Sequence, residues 1–80
     1  MPTILRIGSY RFYFFSNESD EPPHVHIDRE HLSAKFWLEP VLLARNIGFR
    51  PHELNKLKSL VEENNDKLRE TWHEYFGNTD

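Results

Sequence analysis

His24-Val25-His26-Ile27-Asp28-Arg29 and, after Glu30-His31-Leu32, Ser33-Ala34-Lys35-Phe36-Trp37-Leu38 place apolar side chains at every second residue. A period of two is the pattern of strands with one buried face, and the polar stretch between them reads as the turn of a hairpin. Upstream, Thr3–Ile7 is short and apolar, Gly8-Ser9 is a tight turn, and Tyr10–Ser16 holds five aromatics in seven residues. These form a second hairpin. The loop between the hairpins spans Asn17–Pro23, where Pro22-Pro23 removes two ladder donors and three acids favour solvent.

Downstream, Glu39-Pro40 interrupts the strand pattern, and residues 39–49 read as a connector. Within it Val41–Ala44 fits either a fifth, edge strand or a single helical turn. Pro51 followed by Glu53 marks a helix start, although Arg50 occupies the position of the usual Ser or Asp cap. Leu54, Leu57, Leu60, Val61, Leu68, Trp72, Tyr75 and Phe76 then recur at steps of three and four, interrupted at Asn64, and Gly77 is a typical helix stop. The expectation is an α+β domain: an antiparallel sheet of about four strands, as two hairpins over 3–38, packed on one long C-terminal amphipathic helix over 51–76. A 26-residue helix would be about 39 Å long, longer than the strands. Its far end, at Trp72, Tyr75 and Phe76, should therefore fold back on a loop or meet another chain, a possible homo-oligomer contact.

Eighty residues suit one domain, near the lower limit for a chain that folds alone. With no cysteine, neither a disulfide nor a thiolate metal cluster is possible, which suggests a reducing, cytoplasmic setting. The apolar runs are too short for a membrane span and the N-terminus does not resemble a signal peptide. Net charge is −3, with the excess acid in residues 51–80, so gripping nucleic acid by bulk electrostatics is disfavoured.

Alternation sorts the strands into two faces. Tyr10, Phe12, Phe14, Val25, Ile27, Ala34, Phe36 and Leu38 make an apolar face for the helix. The other holds Arg11, Tyr13, Phe15, His24, His26, Asp28, Ser33, Lys35 and Trp37. A face meant only for water does not need Tyr13, Phe15 and Trp37 together, and apolar patches rimmed by polar groups mark interaction sites. The plainer alternative is a minor core covered by the long loop or by residues 39–49.

Three chemistries fit the mixed face. Tyr13, Phe15 and Trp37, or Trp72 and Phe76 on the helix, suit aromatic anchors for a protein partner. His26, His24 or Tyr13 as base, with Lys35 or Arg11 steadying phosphate charge, suits metal-independent RNA cleavage, a ribonuclease-like hydrolase or transferase reaction. His24 and His26, with Asp28 a step further along, suggest a metal, but no spacing supplies an evident third ligand. His31 lies in the turn, and His52 and His73 read as surface residues. No phosphate-binding glycine loop or nucleophile elbow is present, and no cofactor is expected.

The opening Met1–Gly8, Glu21-Pro22-Pro23-His24-Val25-His26-Ile27, Ala34-Lys35-Phe36-Trp37-Leu38, and Gly48-Phe49 ahead of Glu53-Leu54 resemble the bacterial family called domain of unknown function 4160, from Met1 to about Gly77. The resemblance implies a small stand-alone protein, one half of a two-gene pair with a second small domain (number 2442 among the domains of unknown function). That arrangement is similar to toxin–antitoxin modules. It carries no mechanism, but its motifs coincide with the mixed face at His24, His26, Lys35 and Trp37. A protein-binding component of such a pair is the leading expectation, ahead of a ribonuclease toxin and a metal-binding domain.

Overall fold

The computed structural model describes residues 3–15 and 20–77. Ser16 and residues 17–19 of the expected loop lie outside these. Five strands, β1 (Thr3–Ile7), β2 (Tyr10–Tyr13), β3 (His24–Arg29), β4 (Leu32–Leu38) and β5 (Val41–Ile47), precede two helices, α1 (Pro51–Glu63) and α2 (Asn65–Phe76). The strands form an antiparallel meander in chain order. Both expected hairpins are present.

Two expectations need correction. The sheet has five strands rather than about four, because within the expected connector over 39–49 the edge-strand option for Val41–Ala44 holds and the strand runs on to Ile47. Glu39-Pro40 is not a terminator but the two-residue turn between Leu38 and Val41, and its peptide bond is cis. Proline at this turn position is compatible with a hairpin, since no ladder donor is required there. The pairing slips once, so that Lys35 faces Arg45 and Phe36 faces Leu43, leaving Ala44 as a bulge.

The single helix over 51–76 is also two. Asn64 leaves helical geometry (φ −109°, ψ 15°) and its side-chain amide donates to the Leu60 carbonyl at 2.8 Å. Asn65 donates to the Leu38 carbonyl at 3.0 Å, fixing the start of α2 to the end of β4. Asparagine competes for backbone partners in this way, which makes it a poor residue for a helix interior. The break lets both apolar stripes reach the same sheet. Leu57 and Val61 from α1 and Leu68 from α2 are fully buried against Phe12, Val25, Ile27, Ala34, Phe36 and Leu38. Trp72 turns back onto Phe14, their rings 5.3 Å apart, and onto Phe76 at 4.2 Å. The helix end therefore packs largely on its own chain, while Tyr75 stays exposed.

Without a side-chain cap, the start of α1 is held through its first turn. Arg29 of β3 donates to both carboxylate oxygens of Glu53, at 2.8 and 2.9 Å, and the Tyr10 hydroxyl donates at 2.6 Å. The Arg29 hydrogen bonds, then that from Tyr10, hold the Glu53 carboxyl below its ordinary pKa. A carboxylate whose pKa is depressed by folding stabilises the fold above its unfolded pKa, and that contribution fades as pH falls through the folded value. Glu53→Gln should therefore lower the melting temperature at neutral pH and narrow its gap to wild type in acid. Thermal melts between neutral pH and the carboxylate range check this; parallel curves would refute it.

Candidate functional site

The helices cover one face of the sheet, and register places the side chains of the other. Arg6 lies opposite Arg11 and Thr3 opposite Tyr13. Tyr13 lies opposite His26, His26 opposite Lys35, and Lys35 opposite Arg45. Trp37 stands between His24 and Leu42, and Ser33 beside Ile47. β5 does not cover this face. It widens it by Leu42, Arg45 and Ile47, all exposed.

The centre is an aromatic row. Tyr13 and His26 stack at 5.3 Å with 20° between their planes, and Phe15 meets both edge-on, at 5.5 and 4.8 Å. The Arg11 guanidinium lies 4.4 Å from the Tyr13 ring centre, and the Lys35 ammonium 4.7 Å from that of Trp37. The Tyr13 hydroxyl donates to the Asp28 carboxylate at 3.0 Å. Burial, then that hydrogen bond and the Asp28 charge, raise the Tyr13 pKa. Tyr13 therefore holds its proton more firmly than a free phenol, which suits a donor better than a base. Asp28→Asn should lower the Tyr13 pKa, and tyrosinate absorbance during an alkaline titration reads the shift. An unchanged midpoint would contradict this.

Lys35 forms a 2.8 Å ion pair with Glu21. Arg45, directly across the ladder, makes no hydrogen bond or ion pair with the described residues. Like charges opposite one another destabilise a sheet unless neutralised. Between these cations and the aromatic row lies a concavity of about 190 Å³, lined by Tyr13, Phe15, His26, Lys35, Arg45 and Ile47 among others.

The residues expected at the site divide. Tyr13, Phe15, His26 and Lys35 surround this concavity. Trp37 sits beside it, half-buried. Arg11 is directed to β1, its Nε donating to the Thr3 hydroxyl at 3.0 Å. His24 shares the register of the open face but has no exposed surface, lying 4.8 Å from the Trp72 ring and 5.2 Å from that of His26. Its Nδ1 is 2.9 Å from the Pro22 carbonyl. A carbonyl can only accept, so Nδ1 carries the proton and is not available to a metal. Asp28 is engaged by Tyr13, and among the described residues no group of three or more His, Asp or Glu could hold a metal ion. Trp72 and Phe76 lie in the helix layer, packed on Phe14.

Arg45, Leu42 and Ile47 were not anticipated. Their signal was in Val41–Ile47 once that stretch is taken as a strand beyond the Glu39-Pro40 turn. No helix of the described residues is long and apolar enough to cross a membrane.

No curated protein and no solved structure matches the chain. The family described as "Domain of unknown function (DUF4160)" matches residues 9–73, most of its length, and covers every strand of the open face except β1. The chain belongs to this family.

Proposed function

We propose that this protein is a protein-binding module, and that the open sheet face is where its partner docks. The observation that carries this reading is β5. Of the two segments with the length to fold across the aromatic row, that over residues 39–49 joins the sheet instead, adding Leu42 and Ile47, each 51% exposed. Phe15, at 38% exposed, lines the same concavity as Ile47. Apolar anchors beside a polar rim are the anatomy of a docking surface.

Cleavage of RNA at the same face is less well supported. His26 and Lys35 share the concavity, but His24 is enclosed, Arg11 is engaged with Thr3, and Tyr13, with its pKa raised, is less available as a phenolate. The resemblance to two-gene modules points to the product of the adjacent gene as the partner. Bacterial co-expression of the two proteins, with a tag on this chain alone, should yield a complex of fixed stoichiometry through size-exclusion chromatography. Recovery of this chain alone, folded and free of the neighbour, would overturn the pairing.

A further inference from the structure

β5 is the last strand of the sheet, and its outer edge has no neighbouring strand among the described residues. Sheet edges are ordinarily protected by proline, short length, bulges or charge. β5 runs for seven residues without proline, with one bulge at Ala44 and one charged residue, Arg45. Leu42, Leu43 and Ile47 are exposed along it. The opposite edge, β1, differs: it is shorter, and Ile4, Leu5 and Ile7 are partly buried against the core.

Charge sets the chemistry of what fits. Arg45 stands opposite Lys35 without a counter-ion among the described residues, beside a concavity that admits a side chain. Lys35 already has Glu21 as its counter-ion at 2.8 Å, so a carboxylate there would neutralise the remaining charge of the pair and form charge-assisted hydrogen bonds to the Arg45 guanidinium. A polynucleotide fits less well. Tyr13 carries both His26 and Arg11 against its ring, and Trp37 carries Lys35, so the chain itself occupies ring faces that bases would stack on. The acidic helix layer also repels a polyanion at long range.

We infer that an extended, carboxylate-bearing segment of a partner protein adds to the outer edge of β5 as a further strand, with an acidic side chain reaching Arg45. This rests on the docking reading above and names the partner's chemistry. Main-chain pairing would supply affinity, and the Arg45 site specificity.

The test is selection of a displayed library of random peptides on the immobilised full-length protein. Selected peptides should combine Asp or Glu with β-branched residues. They should bind Arg45→Glu at least about tenfold more weakly, and the loss should be recovered by peptides with Lys in place of the acid. N-methylation of alternate peptide amides should abolish binding, and Arg6→Glu on the far edge should leave it unchanged. If Arg45→Glu does not fold, Arg45→Gln takes its place, with the same loss expected and no recovery by Lys. Failure to select any peptide, peptides without acidic residues, equal loss with Arg6→Glu, tolerance of N-methylation, or tight binding of an oligouridylate instead would each overturn the inference. Apolar peptides bound at this edge would sink it while leaving the docking reading intact, whereas failure of the co-expressed pair removes the reading beneath it.

Discussion

Trp72→Ala is expected to lower the unfolding free energy by about 3–5 kcal/mol, the usual cost of truncating a large buried aromatic. Trp72 is 4% exposed and joins Phe14, Phe76 and the ring of His24. It is the contact through which α2 is fixed over the start of β3. Small domains are stable by about 5–15 kcal/mol in all, so the variant would lose a large share, with a melting temperature more than about 10 °C lower. Tyr75→Ala, at a 47% exposed neighbour on the same helix, should cost about 1 kcal/mol or less. Urea unfolding of both variants checks the contrast. A loss below about 1 kcal/mol at Trp72 would mean that α2 is not held as described. His24 reports the same event, since its burial depends on that indole, and its imidazole resonances should become solvent-like in the Trp72 variant.

The second large effect concerns affinity rather than folding. Phe15→Ala and Ile47→Asp should each weaken the complex with the partner by about 30-fold or more, corresponding to about 2 kcal/mol, the level of an interface hot spot. Phe15 offers a large ring held edge-on by Tyr13 and His26, so little side-chain freedom is lost on binding. Ile47 would carry a charge into a desolvated contact. Both are exposed enough that the isolated chain should melt within a few degrees of wild type. Isothermal titration calorimetry against the purified partner measures this, with Glu62→Ala on the outer surface of α1 as the control. Equal affinities for all three variants would place the interface elsewhere.

How much of this was legible follows from particular residues. The alternation through His24–Arg29 and Ser33–Leu38 assigned each side chain to a face, and the eight residues assigned to the helix side are all buried. Period two is enforced by the pleat, so it survives in a single sequence. Pro40 was misleading, since proline removes a ladder donor within a strand but not at a turn, and only pairing of Leu38 with Val41 distinguishes the two. With Val41–Ala44 open between an edge strand and a helical turn, and residues 45–47 left in the connector, Arg45 and Ile47 could not be placed beside Lys35 and Ser33. At Asn64 the interruption in the apolar stripe was visible. Its consequence was not, because the break is fixed by partners distant in sequence, above all the Leu38 carbonyl that receives Asn65.

His24 marks another limit. Alternation put it on the face that holds Trp37, its cross-strand partner, but alternation knows nothing of a helix that reaches around the end of the sheet, and Trp72 removes His24 from solvent. The charges behave similarly. An even balance of acids and bases over residues 1–50 conceals that Arg6, Arg11, Lys35 and Arg45 all project on one side of the sheet. Composition argued against anionic partners in bulk, whereas register gathers four bases on one face, with Asp28 opposite Arg11 and Glu21 paired to Lys35.

Amide hydrogen exchange of the full-length protein, alone and saturated with the co-purified partner, tests the central claim most directly. Slowed exchange concentrated in β5, with the outer amides of α1 and α2 unchanged, is the result expected if the open face and its free edge form the docking surface. Protection confined to the helices, with β5 exchanging as fast as in the free protein, would contradict it.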